Sequence, residues 1–443
     1  MIYSQNIEIN LSKENQLILD GQSKILNWLY NHLLDLSIKQ YDEVKQGTLE
    51  KTLLSKKYGL RNYMVNEMKE SNEFKFINTV YSKPLKESAT RLEQTFKKFF
   101  TEGTGFPNYR SWKKSWFSLY YDEAFIGYKI DGYNLVVSCG TDEQGKRIKI
   151  EAVLKNKIKT NGKIKTLRIC KKLNKYYINL TLEKNEPPKK DNKKWISIDQ
   201  NHKNFFCAVD YKGETMIFNK NNFIKYTEKQ IDELNSLMSK KKKFVTKINK
   251  NYNKEYKQFT KQFNRLVVKR SKLYSKIREQ KKNYCNTVAN FLFKNYDLVI
   301  IGDYTPDLNT AKFNTMHRSM LNQEMIGQFR RVLQHQADKS GKSLIINSER
   351  HTTSDCCFCG DRVYKDPSVR EFTCPDCGHK FQRDLNSSVN IGKKEIKMLS
   401  GTDFLKSLDL SDFNYSLACS FRGLSKHELN SKRGSLLAKP NIN

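Results

Sequence analysis

Four acidic residues stand where short apolar runs end or a distinct motif begins. Asp199 closes "WISID", Asp303 closes "LVIIGD", Glu349 closes "LIINSE", and Asp384 lies in "RDLNSSVNI". The first three runs are β-branched and apolar, the composition of buried strands. Carboxylates gathered at strand ends offer hard oxygen ligands to Mg²⁺ or Mn²⁺. Two such ions about 4 Å apart can activate a water and stabilise the leaving oxygen of a phosphodiester. A lone Asp after a strand is ordinarily a turn former or helix cap. Four acids on separated segments of one basic chain form a more specific pattern.

A second ligand set is softer. Cys356-x-x-Cys359 and Cys374-x-x-Cys377 are separated by fourteen residues, within the geometry of a two-knuckle zinc ribbon. Four thiolates close a tetrahedral shell, so the implied Zn²⁺ is structural. Gly360 and Gly378 follow the second cysteine of each pair, where a knuckle needs a permissive backbone. A redox pair is the competing reading; two such pairs at ribbon spacing argue against it. His379 reads as a surface residue and Cys357 as a bystander between ligands. Cys139, Cys170, Cys207, Cys285 and Cys419 are scattered, which fits a reducing, cytoplasmic setting.

The elements that must position these residues are readable in outline. The chain has 443 residues and a formal charge of +33, from 80 Lys+Arg against 47 Asp+Glu. Such an excess favours a polyanion, with nucleic acid as the leading candidate; a bland alternative is the Lys and Asn bias of an AT-rich genome. No apolar run approaches the roughly 20 residues of a membrane span, and the N-terminus lacks the basic and apolar regions of a secretory signal. Residues 1–10 alternate weakly, as a strand would. Helical spacing follows over 13–36 and 84–100. Short alternating runs between 117 and 183 predict an antiparallel barrel or sheet. The Pro- and charge-rich stretch 186–193 reads as a linker. From 194 the order is three strands, a long basic helical region over 221–294, strand, helix, strand, with the last two strands parallel. The basic region reads as a solvated hairpin, as a surface along a nucleic-acid backbone, or as both together. Arg330 and Arg331 carry the same two readings. Tyr109, Trp112, Lys113, Lys114 and Trp116 mix aromatic and basic character; RNA stacking or phosphate contact competes with a place in the core.

At this point a resemblance enters. "TTSDCCFCG", "REFTCPDCG" and "RDLNSSVNI" are similar to the zinc-ribbon and final-motif segments of the TnpB family, transposon-associated RNA-guided DNA endonucleases related to the compact type V CRISPR effectors. "SIDQNHKNFFCAVD" resembles the family's first acidic motif, and "FFTEGTGFPNYR" the segment before its wedge-like barrel. The resemblance runs from about residue 10 to 393 and is most specific over 349–393. It implies an α+β multidomain protein: a helical recognition lobe and an antiparallel β wedge barrel, then an RNase H-like (RuvC) α/β nuclease domain with an inserted zinc ribbon. The implied bounds are 1–20 and 101–187 for the wedge, 21–100 for the recognition domain, 188–355 and 379–400 for the nuclease, 356–378 for the ribbon, and 401–443 for a tail expected to be partly disordered.

The resemblance further implies an RNA-guided, divalent-metal-dependent endodeoxyribonuclease. Its partners would be a guide RNA and double-stranded target DNA beside a short motif, with Asp199, Glu349, Asp384 and Asp303 as the site acids. Three departures stand out. Asp199 precedes "QN" where the family has Leu-Gly or Pro-Gly. Gly302-Asp303 occupies the usual place of the middle glutamate, and some relatives with that pair supply the glutamate from the next strand, where Glu349 sits. Gln382 replaces the first acid of an Asp-Arg-Asp motif. Two alternatives follow: a guided DNA-binding repressor without cleavage, and an unguided nucleic-acid-binding zinc-ribbon protein.

Overall fold

The computed structural model describes every residue except 112, 114, 159–161, 202–203, 220–221, 253–259, 306–324, 365, 367–368, 397–414 and 418–443. Trp112, Lys114, Cys419 and almost all of the tail therefore lie outside the described residues. Contacts divide the chain into two units, Met1–Asn185 and Glu186–Asn443.

In the first unit, period-two burial makes strands: β1 (Ile2–Asn10), β2 (Leu119–Tyr121), β3 (Tyr128–Asp131), β4 (Asn134–Thr141), β5 (Arg147–Leu154), β6 (Lys163–Lys172) and β7 (Lys175–Glu183). Along β7, Tyr176, Ile178, Leu180 and Leu182 are buried while the residues between them lie nearer solvent. The strands pair antiparallel in the order β2-β6-β7-β1-β5-β4-β3. No pairing joins β2 to β3 among the described residues, so the sheet curls without closing. Of the barrel or sheet that the alternation predicts, these pairings form the antiparallel sheet. Sequence shows alternation along each strand, but closure depends on which edges meet.

Helix α1 (Lys13–Lys45) is capped by Ser12, whose hydroxyl accepts the Asn15 N–H at 3.1 Å. The short α2 (Gly59–Tyr63) leads to α3 (Ser82–Glu102), which has Pro84 in its first turn and ends at Gly103 in the left-handed region. Trp116 belongs to this unit's packing: its indole N–H donates to Asp20 at 2.9 Å. Tyr109 is exposed and donates its hydroxyl to Asp35.

The second unit opens with β8 (Trp195–Asp199), β9 (Phe206–Asp210) and β10 (Thr215–Phe218). The basic region folds as two helices, α4 (Asn222–Tyr252) and α5 (Lys261–Asn295), running antiparallel: Lys241 meets Gln262, and Arg270 meets Asn235. Then come β11 (Leu298–Gly302), α6 (Ile326–Ser340), β12 (Ser343–Asn347), the ribbon strands β13 (Glu371–Thr373) and β14 (Lys380–Gln382), and α7 (Arg383–Lys393). A last strand, β15 (Tyr415–Leu417), lies in the tail and pairs parallel with β10. The sheet order is β12-β11-β8-β9-β10-β15. β8, β11 and β12 are mutually parallel neighbours; β9 runs against β8.

Both faces of this sheet are covered, which is why β8, β9 and β11 are buried throughout. Ile196, Ile198, Phe206, Ala208, Val299 and Ile301 pack with α5 and α6. Trp195, Cys207, Val209, Leu298 and Ile300 face α7 and the cysteine ribbon. Alternation puts Ser197, Asp199 and position 302 on the α7 face as well.

The linker is pinned at one glycine. Gly341 ends α6 with φ 66°, its carbonyl accepts the Lys190 N–H at 2.8 Å, and a Cβ there would lie 2.2 Å from the Pro188 carbonyl oxygen. Gly341→Ala is therefore expected to cost about 1–3 kcal/mol, read as a lower thermal unfolding midpoint; an unchanged midpoint would mean the linker does not pack there.

Candidate metal and acid site

Register brings the acids to one edge. Ile198 pairs with Ile301, and Gly302 with Asn347, so Asp199, Gly302 and the residues just past β12 end at the same level. α7 crosses this edge closely because its contact residues are small. Ser197 Oγ donates to the Ser388 carbonyl at 2.6 Å, and Ser388 Oγ donates to the Cys207 carbonyl at 3.1 Å. Ser387 Oγ donates to Asp199 Oδ1 at 3.1 Å. Asp384, in the first turn of α7, is thereby brought beside Asp199.

The third acid arrives through a missing side chain. A Cβ on Gly302 would fall 1.7 Å from Glu349 Oε1. The Glu349 carboxyl thus occupies the space a side chain at 302 would fill. Asp303 sits differently: it is exposed, and its Oδ1 accepts the Glu349 backbone N–H at 2.9 Å. It shapes the turn that aims Glu349.

Electrostatics agree with this placement. Burial, then the charges of Glu349 and Asp384, push the Asp199 carboxyl well above the usual range, against the Ser387 hydroxyl bond. Burial likewise raises Glu349 to about 7, with Asp303 adding to it and the Tyr304 amide and Arg330 opposing. Glu349 Oε1 is shielded from solvent and has no hydrogen-bond partner. Carboxylates whose charges act together on Asp199 are chemically suited to a hard divalent cation, although among the described residues only the cysteine set already gathers its ligand atoms to metal-binding distance.

Several neighbours have parts that sequence reasoning missed: Arg370 was not singled out, and Gln382 and Arg330 were read otherwise. Arg370 Nη1 lies 2.8 Å from both Asp384 oxygens. Gln382 caps α7, its Oε1 accepting the Leu385 N–H at 2.8 Å, which gives a local reason for the Gln in place of an acid. Arg330 is partly buried, donates to the Tyr304 carbonyl and adds positive charge beside Glu349 and Asp303, so it is not a solvated-face residue. Arg331 is exposed and donates to the Gly327 carbonyl of its own helix. The signal for these was faint, since each contact joins segments distant in sequence or depends on a side-chain rotamer.

The cysteines converge. The Sγ atoms of Cys356, Cys359, Cys374 and Cys377 all lie within 4.8 Å of one another, with Cys356–Cys377 at 3.7 Å and Cys359–Cys374 at 3.6 Å. Tetrahedral zinc with bonds of about 2.3 Å requires sulfurs about 3.8 Å apart, so the set fits that ion. The Gly360 and Gly378 amides return to the Cys356 and Cys374 carbonyls at 2.9 and 3.0 Å, with φ of 84° and 71°. Cys357 is buried in the core outside the cluster. His379 is exposed and stacks on Phe358. Asn386 of α7 accepts the Cys357 N–H at 2.8 Å and donates to the Asp355 carbonyl at 2.8 Å, tying ribbon to helix.

Comparison with known proteins follows this anatomy. The Cas12f1-like TNB-domain family matches residues 327–391. InsQ of Escherichia coli (strain K12), provisionally named an RNA-guided DNA endonuclease, is 21% identical over 354 residues, spanning 75% of this chain and 79% of that protein. R186 of Acanthamoeba polyphaga mimivirus, provisionally named a transposase, is 31% identical over 182 residues, 40% of this chain and 34% of its own length. The protein in the cryo-EM structure of a Cas12f1–sgRNA–target DNA complex superposes with a TM-score of 0.55 at 10% identity, over 88% of this chain and 98% of that one, which is a likeness of fold.

Because Glu349 titrates higher in the fold than its ordinary value of 4.5, its protonated form stabilises the fold. That contribution is full below about 4.5 and is lost as pH rises to about 7. Without added divalent ions, wild type should lose stability relative to Glu349→Gln across that window, by on the order of 2 kcal/mol. Unfolding midpoints of both proteins from pH 4.5 to 7.5 read the difference; parallel curves would place the carboxylate in solvent.

Proposed function

We propose, from the premise that the chain belongs to the TnpB family, that it is an RNA-guided, divalent-metal-dependent DNA endonuclease. The observation that carries this reading is the convergence of Asp199, Glu349 and Asp384 on one edge of a sheet whose strand order and directions support an RNase H-like, RuvC-type domain. Asp199, Glu349 and Asp384 would hold Mg²⁺ or Mn²⁺, and bound ions there supply an activated water and charge relief at the leaving oxygen. Glu349 is preferred to Asp303 as the middle acid because its Oε1 is buried and unpartnered, whereas the Asp303 carboxylate is spent on a backbone amide. Arg330 steadies the Tyr304 carbonyl beside Glu349.

The remaining parts divide the work of recognition. A charge of +33 suits a guide RNA and the DNA strand paired with it. Base pairing would read sequence, while protein reads shape and a short duplex motif beside the target. The four cysteines would hold one zinc, and no disulfide joins the nine described cysteines, in keeping with a reducing cytoplasm.

Two tests follow. Elemental analysis of purified protein should find one zinc per chain, and Cys374→Ser should lose it; a zinc-free wild type with an intact fold would remove the metal from the ribbon. In a Mg²⁺-dependent cleavage assay with the co-purified RNA and matching DNA, Asp199→Ala and Asp384→Ala should abolish cutting while RNA affinity stays near wild type. Glu349→Ala should lose more activity than Asp303→Ala. Full cleavage by either of the first two sinks the site, and the reverse order of the second pair returns the middle role to Asp303. RNA and DNA binding by wild type with no cutting would favour the repressor reading.

A further inference from the structure

We propose that Arg370, carried on the cysteine-ribbon hairpin, is the resident counter-ion of Asp384 and must leave that carboxylate before a divalent cation can take it. This rests on the reading of Asp384 as a metal ligand.

The geometry is specific. Arg370 Nη1 is equidistant from Oδ1 and Oδ2 of Asp384, at 2.8 Å from each. That is the position a cation shared between the two oxygens would occupy. The other donors are looser: Arg383 Nε and Nη2 lie 3.3 Å from Oδ1, and Gln382 Nε2 lies 3.4 Å from Oδ2. Charge-assisted bonds of the shorter kind are the strong ones. Asp384 is 3% exposed, so an uncompensated charge there would be costly. The Arg370 side chain is 26% exposed, which gives it a route outward to water.

The ribbon places this guanidinium. The Arg370 carbonyl accepts the Arg383 N–H at 2.6 Å, and the next residues pair with β14 from Glu371–Gln382 to Thr373–Lys380. Cys374 and Cys377 stand in the turn between these two strands. The cysteine cluster therefore holds the hairpin, the hairpin holds Arg370, and Arg370 covers Asp384. The arrangement offsets the repulsion among Asp199, Glu349 and Asp384 while no metal is bound. It also makes metal entry an exchange of one cation for another, and the hairpin loses a tether when the exchange occurs.

The direction of a mutant effect separates this from a merely structural arginine. A residue that only positions Asp384 would, when removed, weaken metal binding; a competing counter-ion would strengthen it. Mn²⁺ binding to the full-length, zinc-loaded protein can be followed by the EPR signal of free Mn²⁺. Arg370→Gln is expected to bind Mn²⁺ about tenfold more tightly, ~1.4 kcal/mol. Arg370→Lys, which keeps the charge, should stay near wild type, and Asp384→Asn should lose the site. Unchanged or weaker binding by Arg370→Gln overturns the proposal. A wild type with no Asp384-dependent Mn²⁺ site overturns the metal reading beneath it. Hydrogen exchange needs no variant: added Mn²⁺ should speed exchange in the 369–373 segment of wild type, and unchanged exchange there in Mn²⁺-bound protein counts against displacement.

Discussion

Bringing carboxylates together away from water is the constraint around which the second unit is built. Each buried charge loses hydration, and each repels its neighbours. Only a scaffold stabilised elsewhere can hold such a cluster. Here the scaffold is the parallel trio β8, β11 and β12, covered on one face by α5 and α6 and on the other by α7 and the ribbon. The apolar residues of β8 and β11 supply the packing free energy, and the strand ends carry the strain. Close approach is bought with small residues: Ser387 and Ser388 let α7 settle on β8 and β9, and Gly302 makes room for Glu349.

The ribbon is part of that scaffold. Cys356, Cys357 and Cys374 are buried in one cluster with Phe381, Leu385, Val389 and Ile391 and with the sheet residues Trp195, Cys207 and Ile300. Asn386 and Asn390 of α7 both donate to the Thr352 and Asp355 carbonyls, fixing the first knuckle to the helix that presents Asp384. A short insertion returning directly into α7 sets where Asp384 begins.

Much of this was legible in sequence because it is local. β8, β11 and β12 were readable from apolar composition, and the acids from where those runs stop. The cysteine knuckles were readable from spacing, and their glycines from the backbone a knuckle requires. What was not legible depends on contacts between distant segments. Arg370 looked like one basic residue among 80; its meaning appears only when the hairpin folds over α7. Gln382 read as a lost acid, whereas in the fold it is a helix cap. Arg330 read as either a nucleic-acid backbone contact or a solvated helix charge, and in the fold it is tucked against Tyr304. Whether the first sheet closes was not legible, because alternation specifies faces but not which edges meet. β15 is three residues of a polar tail, too short for periodicity to mark.

Under the proposed function, a protein of charge +33 that acts on phosphodiesters with carboxylates faces opposed demands. Basic surface draws a polyanion in, while exposed acids would push it away from the place of reaction. The structure meets both by keeping the acids out of sight. Asp199 and Asp384 are buried, and Glu349 turns its Oε1 inward. Arg370 and Arg383 contact Asp384, and the charges of Arg330 and Lys394 act on Glu349. An approaching backbone thus meets cations first. The same cations offset the repulsion within the cluster, so under the proposed function shielding a substrate from the acids and shielding the acids from one another are a single electrostatic solution.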